Sequence, residues 1–216
     1  MDRQTVVSSA LDLLVETGLE GLTLRRLAAK LNVKAPAIYW HFRDKQELLD
    51  EMATVVLRRL AGEIHARRKM RWDGWAMYYG RTLRRVLMSY RDGARMVSGT
   101  RMTDPAIYAS MEAAIRRLTD EGFSPYVAVM GLSSVYCYVV GFVIEEQAVF
   151  LPGGEMEDTY KPEVRATRVD AKEMPMAAKA GDFLFTKFDR RFNDGLKLIV
   201  DGLRQASPKR ARGAAE

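Results

Sequence analysis

The feature that most constrains this 216-residue chain is an apolar segment, residues 126–144, that contains no charged side chain. Its length approaches the roughly 20 residues that an α-helix needs to span a bilayer. The segment includes two serines, two glycines and three tyrosines, however, and it ends at Glu145 and Glu146. No basic cluster lies close by to set a membrane orientation. Because a helix buried on all sides in a soluble protein has the same composition, we favour that interpretation over a membrane span.

Helical periodicity extends through almost the whole sequence, and no segment alternates with the period of two that a strand requires. The sequence therefore predicts an all-α fold with three parts. Residues 1–46 form a small three-helix domain, residues 47–206 form a larger helical domain, and the basic tail 207–216 is disordered. Within the larger part, residues 152–177 combine three prolines with many charges and are predicted to be a flexible loop.

Punctuation residues place the helix ends. Gly18 and Gly21 are expected to end the first helix, and Thr23 to cap the second. Pro36 begins a short third helix, from Ala37 to about His41, because that position needs no backbone donor. Asp44 caps a fourth helix from Lys45 to about Arg68. Asp104-Pro105 and Ser124-Pro125 open two more. A closing helix from Phe183 to Leu203 has an apolar face of Phe185, Phe188, Phe192, Leu196, Ile199 and Leu203.

Composition narrows the function. The net charge of +6 suits a polyanionic partner without requiring one. A single cysteine, Cys137, excludes an internal disulfide and fits a reducing cytoplasm. The two histidines lie far apart, so no zinc-type cluster is expected. No secretory signal is expected at the N-terminus. The chain also has no Gly-rich phosphate loop, nucleophile elbow or suitably spaced carboxylates, so an enzyme is not expected.

Residues 23–42 have the pattern of a helix-turn-helix, in which one helix braces another in the major groove. The bracing helix would pack through Leu24, Leu27, Ala28 and Leu31. Val33 would plug the turn, and Ile38 with Phe42 would form the inner side of the reading helix. Its outer side would hold Ala35, Ala37, Tyr39, Trp40 and His41, with Arg25, Arg26, Lys34, Arg43 and Lys45 supplying positive charge. The same residues could also form a small helical bundle with a solvated basic face.

The run from Gly21 to Lys45, followed by Glu47, Leu48 and Leu49, resembles the DNA-binding signature of the TetR family of transcription regulators. Its most specific part is Ile38-Tyr39-Trp40-His41-Phe42, with Lys45 three residues further on. Trp40 before His41 is similar to the subgroup around the tetracycline repressors. The resemblance extends to that subgroup's ligand-binding domain at Arg91-Asp92-Gly93-Ala94, Gly99-Thr100-Arg101, Gly122-Phe123-Ser124 and Gly141-Phe142-Val143-Ile144-Glu145.

The resemblance implies roles at the DNA. Thr23, Tyr39 and Lys45 would bond to phosphates, and Arg25 would reach a base or a phosphate. The tip of the reading helix has no side-chain donor or acceptor, so it can only recognise thymine methyl groups or fit the groove. We therefore predict thin direct readout, with Arg25 the best candidate for a hydrogen-bonded base. The predicted DNA-binding residues are Thr23, Arg25, Lys34, Ala35, Pro36, Ala37, Tyr39, Trp40, His41 and Lys45.

The resemblance also implies a drug pocket. In the tetracycline-repressor subgroup a histidine holds a drug-bound magnesium ion and a glutamate assists through water. Glu145 matches the glutamate, but the histidine position falls at Val97, which cannot bind metal. We therefore predict an apolar or aromatic inducer bound without metal or other cofactor, with Arg101 available for an acidic group. The predicted lining, in which each residue could equally be plain core, is Ala61, Tyr79, Leu83, Val97, Arg101, Met102, Met111, Val129, Leu132, Ser133 and Tyr136.

The expected partners are double-stranded operator DNA, a small-molecule inducer and a second copy of the chain. One helix-turn-helix contacts one half-site, so a symmetric dimer on a palindrome is expected. Helices near 125–148 and 181–203 would form the interface, with Val139, Val140 and Val143 buried against the partner subunit. The predicted function is a cytoplasmic repressor released when an inducer shifts the fourth helix. Two alternatives keep the DNA binding: an activator, or a regulator that responds to a protein partner.

Overall fold

Eleven α-helices form the described part of the chain, which in this computed structural model comprises residues 1–65, 69–101, 104–151 and 154–206. Between them lie a 3-10 turn at Asp158–Tyr160 and an isolated bridge between Phe150 and Met156, with no strand in those ranges. The all-α prediction is confirmed. The helices are α1 (Arg3–Gly21), α2 (Leu24–Lys30), α3 (Ala35–Tyr39), α4 (Lys45–His65), α5 (Trp72–Met88), α6 (Gly93–Val97), α7 (Pro105–Thr119), α8 (Pro125–Val149), α9 (Pro162–Ala166), α10 (Pro175–Leu184) and α11 (Phe188–Gln205).

Local side-chain chemistry sets the predicted helix starts in the N-terminal region. The Thr23 side chain accepts a hydrogen bond from the Arg26 N–H, and Asp44 accepts one from the Glu47 N–H. Gly18 has a φ of 68°, which breaks the regular helix three residues before α1 ends. Helix α3 begins at Ala35, two residues earlier than predicted, because Pro36 lies inside its first turn and does not precede it.

The first four helices enclose their own apolar centre, continuous with the core of the larger body. Leu27, Ile38, Phe42 and Leu48 are completely buried there, and Val33 packs against the same cluster from the turn. The bracing and plugging roles predicted for these side chains are confirmed. The outer surface of α3 is thereby left free.

Helix α8 is the long apolar helix, and it packs between α5 and α11 in the larger body. Of the described helices it is the one long and apolar enough to cross a membrane. Val139 and Val143 are fully buried and Val140 is 7% exposed within the protomer's own core. The prediction that these valines face a partner subunit was therefore wrong. Helical periodicity turns a different stripe of α8 outward: Tyr126, Val129, Met130, Ser133, Ser134, Cys137 and Gly141.

The segment predicted as a flexible loop, residues 152–177, contains the 3-10 turn, helix α9 and the start of α10 in its described part. Pro162 and Pro175 occupy the first turns of α9 and α10, where a missing N–H costs nothing. Arg165 of α9 forms an ion pair with Asp182 of α10, and Tyr160 lies against the Phe185 ring. The sequence pattern suggested that these two prolines belong to a loop, but each of them lies at the start of a helix. Pro152 and Gly153 lie outside the described residues.

The closing helix predicted from Phe183 to Leu203 is two helices. Helix α10 ends at Leu184, and Lys187 has a φ of 49°. This left-handed residue interrupts the helical backbone, and α11 begins at the next residue, Phe188. Phe185 therefore lies between the two helices and does not belong to the apolar face of α11. On α11 the buried residues are Phe188, Phe192, Leu196 and Val200. The predicted tail, residues 207–216, lies outside the described residues.

Candidate DNA-binding surface and ligand-binding region

The reading helix α3 presents aromatic side chains to the outside. Trp40 is 89% exposed and Tyr39 is 53% exposed, although both are large and partly apolar. Exposed rings beside a buried Ile38 and Phe42 mark a surface that is kept for contact. Pro36 is also exposed, whereas Ala35, Ala37 and His41 are partly buried. Fewer residues are therefore fully exposed on the outer side of the reading helix than the sequence predicted.

Positive side chains surround that helix. Arg25, Lys34 and Arg43 are exposed, and Arg25 has no ion-pair partner in the described ranges. The Thr23 oxygen is used as the cap of α2, but its hydroxyl proton stays available as a donor. Arg25 and Lys34 can therefore meet a phosphate backbone without first breaking an ion pair in the described part of the chain, whereas the Nε of Arg43 lies 3.2 Å from Oε2 of Glu47.

Lys45, predicted to bind a phosphate, has an internal partner. Its Nζ donates a 2.6 Å hydrogen bond to the carbonyl of Leu19 in the last turn of α1. An ammonium group has three donors, so one bond to Leu19 leaves two for a phosphate. Lys45 is therefore held in place rather than extended into solvent.

Part of the predicted ligand-binding set lies together in the core of the larger body. Leu83 and Val97 are buried, and Tyr79 and Tyr136 pack against the same cluster. Tyr79 stacks on Trp75 with ring centroids 5.6 Å apart and planes at 4°. Burial raises the pKa of the Tyr79 phenol, which therefore stays neutral at physiological pH.

The other predicted ligand contacts are dispersed. Ala61 and Leu132 are partly buried, and Leu132 packs against a second apolar cluster around Trp72 and Phe123. The described members on the protomer surface are Arg101, Met111, Val129 and Ser133. Met102 lies outside the described residues. The backbone N–H of Arg101 donates to Asp50 Oδ1 at 3.0 Å, and its guanidinium has no acidic partner in the described ranges.

At the two positions that the resemblance assigns to a drug-bound metal, the side chains differ in chemistry and in burial. Val97 is aliphatic and buried, and Glu145 lies exposed on α8. Nowhere in the described ranges do three His, Cys, Asp or Glu side chains cluster closely enough to hold a metal ion. A magnesium ion bound with a drug here would take its oxygen ligands from the drug and from water, not from a cluster of protein side chains among the described residues.

The sequence did not indicate two sets of long-range hydrogen bonds. Arg3 contacts His41 and Glu47, and Asp92 contacts Leu19. The partners in these contacts are far apart in the chain, so no local pattern points to them. Asp92 does lie in the Arg91-Asp92-Gly93-Ala94 motif, and that was the one available signal.

An exposed aromatic reading helix, braced by a second helix and carried on a larger helical body, defines a helix-turn-helix DNA-binding regulator. Two family models match the chain: "Bacterial regulatory proteins, tetR family" over residues 6–52, and "Tetracyclin repressor-like, C-terminal domain" over residues 68–207. The chain belongs to the TetR family of transcription regulators, as its signature residues predicted. It is a transcriptional repressor with a C-terminal ligand-binding domain, and it is not an enzyme.

Individual relatives agree with this assignment. The chain is 39% identical to the tetracycline repressor protein class A from transposon 1721 of Escherichia coli, covering 92% of this chain and 88% of the relative. A possible TetR family regulator from Streptomyces coelicolor A3(2) superposes with a TM-score of 0.83 at 36% identity, covering 94% of this chain and 99% of that one. A single-residue variant of TetR from Acinetobacter baumannii AYE, in complex with minocycline, gives a TM-score of 0.71 at 33% identity, covering 96% and 98%.

Proposed function

We propose that this protein is a cytoplasmic, dimeric repressor that binds a palindromic operator and is released by an apolar or aromatic small molecule without a bound metal. The observation that carries the DNA part is the exposed outer side of α3. Trp40 is 89% exposed there, and Arg25, which forms no ion pair within the described ranges, supplies positive charge beside it. Two large rings, Tyr39 and Trp40, lie exposed next to each other there, and a contiguous exposed apolar patch is typical of a surface that binds a partner.

Direct reading of bases falls mainly to Arg25 in this proposal. Pro36 and Ala37 offer only apolar contact, whereas an arginine can bond two acceptors of a guanine. Tyr39, Lys45 and Thr23 would fix the register on phosphates. We expect Arg25→Ala to flatten the sequence preference. If binding instead weakens equally on all sequences, Arg25 is only a phosphate contact.

The proposed dimer uses the outward faces of α8 and α11. Tyr126 is 73% exposed on α8 and Leu198 is 75% exposed on α11. Between the two helices runs an apolar groove of about 260 Å³. Paired helices from two subunits would bury these residues in a four-helix interface. We therefore expect the interface at the outward residues of α8 and not at the predicted valines. Of the second predicted segment, residues 181–203, we expect the part in α11 to take part.

An inducer without metal is supported by the side chains at the drug position. Val97 and Leu83 are aliphatic, and Tyr79 offers a neutral phenol with a stacking ring. Fluorescence titration with a tetracycline–Mg²⁺ complex tests this, with Val97→His as the matched variant that returns an imidazole. We expect no magnesium-dependent binding by the wild type. Tight magnesium-dependent binding by the wild type would contradict the metal-free inducer.

The whole proposal is tested by gel shift on fragments flanking the gene, with and without a panel of aromatic natural products. A shifted palindrome that one compound releases supports the operator and the inducer class together. A reporter assay separates the alternatives. Higher expression with bound protein would indicate an activator, and release only by a protein fraction would indicate a protein partner. No specific shift at moderate salt would contradict the proposal.

A further inference from the structure

We propose that Arg3, the first residue of α1, is a positioning residue for operator binding. It fixes the end of the reading helix α3 against α4 without contacting DNA itself. This inference rests on the proposed operator binding. It adds to that function a residue that lies outside the helix-turn-helix.

The guanidinium group of Arg3 connects three parts of the N-terminal domain: α1, the residues that follow α3, and α4. Nη1 of Arg3 donates to the carbonyl of His41, two residues after α3 ends. Nη2 lies 3.1 Å from Oε1 of Glu47 in the first turn of α4. The Cζ atom stands 4.2 Å from the centroid of the Phe42 ring, which is completely buried. Arg3 therefore fastens residues 41–42 to α1 and α4 at once.

Helix α3 needs such a contact because it has little stability of its own. It is five residues long, has no side-chain cap at its start and no basic residue in its last turn. A helix this short forms only through tertiary contacts, and its last carbonyls have no partner inside the helix. Arg3 instead fixes the chain that leaves the helix, because it bonds to the carbonyl of His41 two residues beyond Tyr39. Tyr39 and Trp40 directly precede that carbonyl, so its position sets where they meet the DNA.

The charge of Arg3 is already compensated within the protein. Glu47 lies 3.1 Å away and Glu51 lies 3.8 Å away from the same Nη2 atom. A cation held between two carboxylates adds little to the counterion release that drives phosphate binding. Loss of Arg3 should therefore weaken specific binding without changing its salt dependence.

The test compares wild type, Arg3→Ala, Arg3→Lys and Glu47→Gln. The probes are a duplex that the wild type selects from a random-sequence library and a shuffled duplex of the same composition. Arg3→Ala should bind the selected duplex roughly tenfold more weakly, as expected for one charge-assisted hydrogen bond. Its binding to the shuffled duplex and its salt slope should match the wild type. Glu47→Gln should lose less, and Arg3→Lys should recover part of the loss.

Lys30→Ala is the matched control. It removes the Lys30–Glu16 ion pair of 2.6 Å between α2 and α1, in the same domain but away from α3. It should keep its preference for the selected duplex, and thermal unfolding should show all variants folded. Arg3→Lys, which keeps the positive charge and should lose part of the specific binding, still decides the question if Arg3→Ala unfolds.

Three results would overturn the inference. A salt slope lower by about one charge in Arg3→Ala would make it a phosphate contact. Unchanged operator binding in both Arg3→Ala and Glu47→Gln would leave it no role. Equal losses in Arg3→Ala and Lys30→Ala would mean general destabilisation. Failure of the wild type to select any duplex is seen before any variant is made, and it would overturn the proposed function itself.

Discussion

The backbone N–H of Leu19 donates a 2.9 Å hydrogen bond to Oδ2 of Asp92, 73 positions away. Leu19 lies in the last turn of α1, and Asp92 directly precedes α6 of the larger body. The carbonyl of the same Leu19 accepts the bond from Lys45 Nζ. These two bonds connect the start of α6, through the single residue Leu19, to a lysine that we expect at the DNA.

Replacing Asp92 tests this connection. Asp92→Ala removes the acceptor of the Leu19 N–H and places alanine at a φ of 57°, where Asp and Asn are tolerated better. We expect faster hydrogen exchange at the Leu19 amide and a loss of about 1–3 kcal/mol in the free energy of unfolding. Asp92→Asn, which keeps an oxygen acceptor and tolerates the backbone, should lie close to the wild type. Unchanged exchange at Leu19 in Asp92→Ala would contradict the contact.

Gly18 faces the same junction. A Cβ at this position would stand 2.7 Å from Asp92 Oδ2, at a φ of +68° that disfavours side chains. Gly18→Ala should therefore lower the free energy of unfolding by about 1–3 kcal/mol. Gly62→Ala is the control. Gly62 lies inside helix α4, where alanine is favoured over glycine, and a Cβ there meets nothing within 4 Å. This substitution should raise stability by about 0.5–1 kcal/mol. Equal effects of both changes, measured by urea unfolding, would contradict this assignment.

Glu47 should make stability depend on acid pH. The Arg43 N–H and then Arg3 hold the pKa of the Glu47 carboxyl at about 2, below its ordinary 4.5. A lowered pKa in the folded state stabilises above the unfolded pKa, and this stabilisation is lost as the pH falls towards 2. The stability difference between wild type and Glu47→Gln should therefore be largest near neutral pH and shrink from pH 5 downward. Denaturant unfolding over a pH series measures it, and a constant difference would refute the assignment.

The Arg84–Glu146 pair joins α5 to α8 inside the larger body. Arg84 meets both carboxylate oxygens, with Nε–Oε2 at 2.8 Å and Nη2–Oε1 at 2.5 Å, and the side chains are 15% and 6% exposed. Arg84→Met leaves a buried carboxylate without its partner, which should cost about 3–5 kcal/mol. The double variant Arg84→Met with Glu146→Met should recover most of that loss.

The control for this pair is Arg116→Met, because the Arg116–Glu112 side chains are 70% and 57% exposed. An exposed pair of this kind contributes about 0–1 kcal/mol. Calorimetric or denaturant unfolding compares the three variants. Equal losses from the buried and the exposed pair would contradict the structure.

Leu198 and Val139 separate assembly from folding. Leu198 is 75% exposed in the protomer, whereas Val139 is fully buried in its core. Leu198→Glu should therefore give folded protein that sediments as a monomer, while Val139→Glu should prevent folding because it buries an unpaired charge. Arg190→Glu, an exposed change on the same helix, is the control and should stay dimeric. A dimeric Leu198→Glu protein would exclude this face as the interface.

Local chemistry explains what could be predicted from the sequence. The helix starts at Thr23, Asp44, Asp104 and Ser124 follow from side chains that cap the backbone within three residues. The burial of Ile38 and Phe42, and the exposure of Trp40, follow from helical spacing within a short motif. The family also follows from that motif. All of these depend on residues that are near one another in the chain.

Tertiary structure decided the rest. Val139 looked like an interface residue because the whole of α8 is apolar, and only packing against α5 and α11 shows which side faces inward. Pro162 and Pro175 can end one element or begin another, and the contacts of α9 with α10 select the second. The bonds of Arg3 to His41 and of Leu19 to Asp92 join residues that approach only after folding. A hydrogen bond between distant residues leaves no periodic signal in a sequence, because its geometry exists only once the helices have packed.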